Sequence, residues 1–346
     1  MKYGYLEFRY NNRGSFDVQD GAGPDATINI GDNIQSLAVR SLYNRLGIGE
    51  DDLVGVNRDD LVNYGGEPVT LLMNGCFNRD CFPLPPTITP LFFGFNTKSV
   101  KLIRQNRAMF TKHEPIGCRD NATRQLFLSQ GISAYVTGCV TLTLEKRTRS
   151  PEQGKVVIAY GSGSGEFPGA LLQHIPAPLL QAATFVFQRQ PVKVRPLGDT
   201  EVEAADRTAR GHLDFYETQA RLIITPLLHV ASPCMALGIP VILARKDLDP
   251  RFTGINRLGP VYTPDNFRSI DWSPAVVDLE QIKQAMADIV GRLLKGAPIR
   301  PSDIEFLSSK YDADGVPLRR PGIPQRRGRK SRGGICQFLR FYWWRR

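Results

Sequence analysis

Three short segments of the 346-residue chain carry groups that bind anions or move protons, at spacings that local structure would hold in place. The first is Asn29-Ile-Gly-Asp-Asn-Ile-Gln35. Gly31 precedes a helical pattern over Asn33–Leu46 with Asp32 as its expected N-cap. Free N–H groups at such a helix start attract anions, so Gly31, Asp32, Asn33 and Gln35 are candidates for a charged substrate group. An ordinary helix start reads the same way. The second runs from His113 to Thr123, with Arg119 where a strand over Ile116–Asp120 gives way to a helix over Asn121–Gln130. In open α/β sheets ligands sit at the carboxyl ends of strands, and a fixed guanidinium there can hold a phosphate or carboxylate by paired hydrogen bonds. An Arg119–Asp120 pair capping the helix is the structural alternative. The third is Arg221–Ala244, in which a strand delivers His229 to the start of a helix. A histidine there has its neutral form favoured and could donate or accept a proton. A satisfied core histidine is the alternative.

The chemistry that other motifs would bring is missing. No GxxxxGK[ST], HExxH or GxSxG sequence occurs, and the four histidines show no metal-ligand spacing. No metal site and no cofactor are therefore expected. Gly161-Ser-Gly-Ser-Gly follows a strand, but Glu166 stands at the third glycine position of a dinucleotide fingerprint, which leaves a loop that could line a cleft.

Positioning these groups requires a scaffold, and the pattern supplies one. Strand-like segments at Lys2–Arg9, Val69–Met73, Pro90–Phe95 and Ala134–Val140 alternate with helical ones. A polar, turn-rich stretch, Leu144–Gly154, reads as a linker. A second alternation follows: strands at Lys155–Tyr160, Thr184–Gln188, Val192–Pro196, Arg221–Ile224 and Pro240–Ala244, and helices at Pro178–Ala183, Glu201–Ala220, His229–Leu237 and Leu279–Lys295. The expected fold is α/β: two Rossmann-like domains facing a cleft, residues 1–150 and 151–300, with an extension and basic tail over 301–346.

Net charge is +10, and Pro317–Arg346 holds ten basic residues and no acidic one, so the rest of the chain is balanced. A nucleic-acid-binding body is not expected. The tail is expected to be disordered. Its basic and aromatic residues suit an anionic membrane surface, nonspecific nucleic-acid binding or a plain solubilising extension. The N-terminus has no apolar h-region, and no stretch reaches the roughly 18 apolar residues of a membrane span. The six cysteines form no CxxC pair and mostly lie in apolar runs. These features predict a cytoplasmic protein with reduced thiols, peripheral to the inner membrane face if the tail docks there.

Taken in order, NIGDNIQSLA, NGCFN, FPLPPTITPLF, HEPIGCRDNATRQLFLSQGISAYVTGCVTLTL, LLHVASPCMALGIPVI and DPRFTGI resemble the polysaccharide pyruvyl transferase family, over Thr27–Leu258. The resemblance implies a GT-B-like fold. It also implies transfer of pyruvate from phosphoenolpyruvate, the donor substrate, to two hydroxyls of a sugar or lipid-linked oligosaccharide, closing a ketal. By the same resemblance His229 is the general acid and Arg119 an anion ligand. Asn74 and Asp120 belong to matching motifs, and Lys246 and Arg251 would add positive charge. Departures are specific. Relatives read Ser-Arg-Leu-His where this chain has Pro226-Leu227-Leu228-His229, so one cation is absent; Arg221, Arg245 and Lys246 are candidate replacements. Cys76 stands for Trp, and Gly94-Phe95-Asn96 for Ser-Phe-His. A repurposed saccharide- or anion-binding protein and a glycosyltransferase are the competing readings.

Overall fold

The computed structural model describes residues 2–11 and 26–311, all within one compact unit, Met1–Gly315. The tail expected to be disordered, and Cys336 within it, lie outside the described residues. The first half of the chain runs β1 (Lys2–Glu7), β2 (Thr27–Asn29), α1 (Ile30–Arg45), β3 (Leu53–Asn57), β4 (Val69–Leu72), β5 (Gly75–Cys76), β6 (Ile88–Leu91), β7 (Phe95–Asn96), α2 (Val100–Gln105), α3 (Arg107–Lys112), β8 (Ile116–Cys118), α4 (Asn121–Leu128) and β9 (Ala134–Val136). The second runs β10 (Lys155–Tyr160), α5 (Ala177–Gln181), β11 (Ala183–Phe187), β12 (Arg189–Pro191), α6 (Asp199–Gln219), β13 (Ala220–Thr225), α7 (Leu228–Ala236), β14 (Val241–Ala244), α8 (Ile255–Leu258), β15 (Val261–Tyr262), α9 (Glu280–Leu294) and α10 (Pro301–Tyr311).

Every strand pair is parallel except β2 with β12. In the first half, β3-β1-β4-β6 and β5-β7-β8-β9 form two four-stranded sheets. They join end to end, because Gly117 N–H of β8 donates to Phe92 O, just past β6, at 3.1 Å. The break itself falls at Gly75 and Gly94, with φ of 117° and 75°, values that side chains with a Cβ rarely adopt. The second half has one five-stranded sheet, β11-β10-β13-β14-β15. Its order reverses beside β10, so the loop after β10 opens at a topological switch point. Two parallel Rossmann-like sheets are thus present, as the alternating pattern implied.

Several elements differ in detail from the sequence reading. Strand β3 was not foreseen, because Leu53-Val-Gly-Val-Asn sits between acidic turns with little apolar mass. Expected strand Val192–Pro196 is absent; β12 forms three residues earlier, where its backbone pairs with β2. Helix α1 begins at Ile30, capped by Asn29, whose Oδ1 accepts Gly31 N–H at 3.0 Å. Asp32 is therefore in the first turn and not at the cap. The 301–346 extension opens as helix α10, whose Leu307 and Tyr311 are buried in a core shared with α1, α7 and α9. That shared core ties the halves together, as do the β2–β12 pair and the 2.7 Å hydrogen bond between Thr141 and Ser232 hydroxyls.

Candidate active site

Strand ends from both halves line one cavity of about 100 Å³. Arg119 follows β8, and its backbone N–H is held by Phe95 O at 2.8 Å. Below it, Phe77, Phe92, Phe95, Phe110 and Phe127 pack ring against ring, which fixes the strand ends. The Arg119 side chain is 4% exposed and Nη2 donates to Cys76 Sγ at 2.8 Å, while its Nε has no partner. Cys76 in turn donates to Asn96 Oδ1 (2.9 Å), and Asn96 Nδ2 donates to Asp120 (2.5 Å) and Thr123 (2.9 Å). Asp120 caps α4 through Thr123 N–H, so it supports the strand end from behind and does not line the cavity.

His229 enters from the first turn of α7, with φ −84° and ψ 15° breaking the helical run there. The N-terminus of α1 meets it: a Cβ on Gly31 would lie 2.7 Å from His229 Cβ and 2.9 Å from Nδ1. Glycine is what lets the two helix starts approach this closely. His229 Nε2 is buried and makes no hydrogen bond. Burial, then the positive charges of Arg119 and Arg251, hold its pKa well below the ordinary value. Both effects favour the neutral ring.

Five arginines line the same cavity: Arg58, Arg119, Arg189, Arg245 and Arg251. Three are anchored from behind. Arg58 is paired with Asp59 at 2.8 Å, Arg251 with Asp249 at 2.9 Å, and Arg189 donates to Thr27 Oγ1 at 2.7 Å. Arg119 makes no ion pair among the described residues. Arg245, 3% exposed, donates to the carbonyls of Pro226 and Ser164 and lies 3.9 Å over the Phe252 ring. Its nearest carboxylate is the exposed Asp247, 3.8 Å away. Burial and the neighbouring Arg251 lower its pKa. Buried guanidinium groups with so little negative charge nearby are costly unless an anion completes the site.

Leu227 turns toward the Gly161–Gly165 loop, where a Cβ on Gly165 would lie 2.5 Å from its Cδ2. Arg245, from the adjacent strand, binds the carbonyl just before Leu227 and presents its charge to the cavity. Arg221 is exposed, and Lys246 is exposed and engaged by Glu166, away from the cavity lining.

Of the residues singled out in the sequence, Asp32, Arg119, His229 and Arg251 line the cavity, and Gly31 packs on His229. Asn33 donates to Asp206 at 2.7 Å, Gln35 to Asp32 at 3.1 Å, and Asn74 is buried with no side-chain partner. These three support the first turn of α1 and the bend after β4. Arg245, one of the three candidate replacement cations, lines the cavity, as do serines of the 161–165 loop, which was read as able to line a cleft; Arg58, Arg189 and Gln188 line it without having been singled out. Their signal was position: each follows the end of a strand, β3, β11, β14 or β10. Among the described residues no group of three or more His, Cys, Asp or Glu could hold a metal ion.

The sequence pattern of the family described as polysaccharide pyruvyl transferase matches residues 29–244. The chain belongs to this family. The matched stretch begins at the cap of α1 and ends at the last residue of β14, so it spans most strand ends around the cavity. No curated protein sequence matches this pyruvyl transferase family member significantly. Among solved structures it is similar to a functionally uncharacterised protein of Klebsiella pneumoniae subsp. pneumoniae NTUH-K2044, at 14% identity over 76% of this chain and 92% of that one, TM-score 0.42. It is also similar to the S. aureus MnaA–UDP complex, at 10% identity over 85% and 97%, TM-score 0.38.

Proposed function

We propose that this chain transfers pyruvate from phosphoenolpyruvate to a pair of sugar hydroxyls, forming a ketal and releasing phosphate, in the synthesis of a cell-surface polysaccharide. The observation that carries the reading is one cavity holding five arginines and a histidine whose Nε2 is unpartnered. Phosphoenolpyruvate brings a phosphate and a carboxylate on a three-carbon frame. Arg119, Arg245 and Arg251 are its proposed ligands, by charge-assisted hydrogen bonds.

The chemistry needs a proton on the methylene carbon. His229 Nε2 supplies it, and the central carbon becomes electrophilic. A sugar hydroxyl adds there, its proton passes to the phosphate, and phosphate leaves with that proton and the electron pair of its C–O bond. The second hydroxyl then adds to the same carbon, and its proton restores His229. The depressed pKa of the free histidine fits this order: the donor's negative charge offsets Arg119 and Arg251, so the acid is charged only when substrate is bound.

Calorimetric titration with phosphoenolpyruvate tests the donor site. Wild type is expected to bind saturably, Arg119→Ala and Arg245→Ala to weaken binding by about tenfold or more, and Lys246→Ala to leave it unchanged. No binding by wild type would overturn the reading. Binding without phosphate release from any saccharide acceptor would point to an anion-binding member of the family, the reading that Leu227 favours.

A further inference from the structure

Gln188 is a buried amide that the donor chemistry leaves unused. It is 1% exposed and lines the cavity. Its Oε1 accepts from Tyr216 Oη at 2.7 Å and faces His212 Nδ1 at 3.1 Å, both on α6. Its Nε2 has no partner. An amide whose oxygen is clamped by two groups keeps its NH2 in one direction, and a buried NH2 without an acceptor is costly unless a ligand supplies one.

We infer that Gln188 is a binding residue for the acceptor, donating from Nε2 to a hydroxyl oxygen of a pyranose, with Asp32 accepting from a neighbouring hydroxyl. The inference rests on the pyruvyl-transfer reading. Three observations support it. The β2–β12 register sets Arg189 opposite Asn29, which brings Gln188 alongside the first turn of α1, where Asp32 lies. Asp32 is 5% exposed and lines the same cavity. The two cations on this wall are engaged, Arg58 by Asp59 and Arg189 by Thr27. A wall offering an amide donor and a carboxylate acceptor matches neutral hydroxyls, each of which can donate and accept. The carboxylate repels a multiply charged donor, which goes to Arg119, Arg245 and Arg251 instead. Tyr216 and His212 act as positioning residues.

The test pairs two ligands on the full chain. Phosphoenolpyruvate is titrated by calorimetry, and methyl glucoside, galactoside and mannoside pyranosides are examined by saturation-transfer NMR. Gln188→Leu is expected to weaken the preferred pyranoside by about fivefold or more, with phosphoenolpyruvate affinity unchanged. Gln188→Met fills the same space without a donor or a charge and should behave alike. Tyr216→Phe should weaken the pyranoside by a smaller factor without moving phosphoenolpyruvate affinity, a split that a merely structural role would not give. Equal loss of both ligands in Gln188→Leu would assign Gln188 to the donor and overturn the inference. So would unchanged pyranoside binding, or no pyranoside binding by wild type. Failure of wild type to bind phosphoenolpyruvate, with pyranoside binding still dependent on Gln188, would sink the pyruvyl-transfer reading alone.

Discussion

On the proposed mechanism, His229 would be inert in the free protein and reactive only once the donor is bound. Burial, Arg119 and Arg251 together keep its ring neutral. A donor carrying phosphate and carboxylate reverses that balance, so binding should take up a proton. Calorimetry of phosphoenolpyruvate in two buffers of different ionisation enthalpy should give about one proton at neutral pH, and none for His229→Gln. The same variant should lose turnover by about 100-fold or more. Equal heats in both buffers for wild type would remove His229 as the acid. The depressed pKa values also bear on stability. His113 and His212 are lowered as well, chiefly by burial. Below the ordinary value near 6.5 the unfolded chain binds more protons than the folded one, so stability rises with pH there and is lost as pH falls. Melting temperature should fall between about pH 7 and 5.5, and fall less in His229→Gln. A flat profile would contradict the burial of these rings.

At the scale of elements, the site depends on how closely backbone segments approach. Gly117, two residues before Arg119, is the sharpest case: a Cβ there would lie 2.6 Å from the carbonyl oxygen of Phe92 and 3.2 Å from Phe93 Cα. Backbone atoms cannot rotate aside as a side-chain tip can. Gly117→Ala should therefore destabilise by about 1–3 kcal/mol in denaturant unfolding and weaken phosphoenolpyruvate binding, because the displaced strand carries Arg119. Stability within about 0.5 kcal/mol of wild type would show that β6 and β8 can separate freely. Elements were also where the sequence was most readable. Long periodic segments such as α6, α9 and β10 were placed to within two residues, since their apolar spacing admits one answer. Groups delivered by motif, Asp32, Arg119 and His229, were visible as local strand-to-helix junctions. Gln188 and Arg58 were not, because each follows a different strand and only the fold brings them to one cavity. β12 escaped for a similar reason: its three residues are a strand only because β2, some 160 positions away, pairs with them.

At the scale of the whole molecule, charge is unevenly spread along the chain. The net charge of +10 resides entirely in Pro317–Arg346, so the compact unit Met1–Gly315 is close to neutral around a cavity rich in arginine. No helix among the described residues is long and apolar enough to cross a membrane. The basic segment also carries Phe338, Phe341, Tyr342, Trp343 and Trp344, ring types that favour the membrane–water interface. If the acceptor is lipid-linked, a basic segment at an anionic surface raises the local concentration of substrate without touching the chemistry. Each basic residue near such a surface contributes on the order of 1 kcal/mol, and that contribution is screened by salt. The full chain should therefore sediment with phosphatidylglycerol vesicles at low salt and dissociate as salt rises. A chain ending at residue 316 should stay in solution, with melting temperature and phosphoenolpyruvate affinity unchanged. Equal sedimentation of both chains would move the membrane contact onto the compact unit. Preferential capture of the full chain by RNA over vesicles would mean that the charge serves nucleic acid instead.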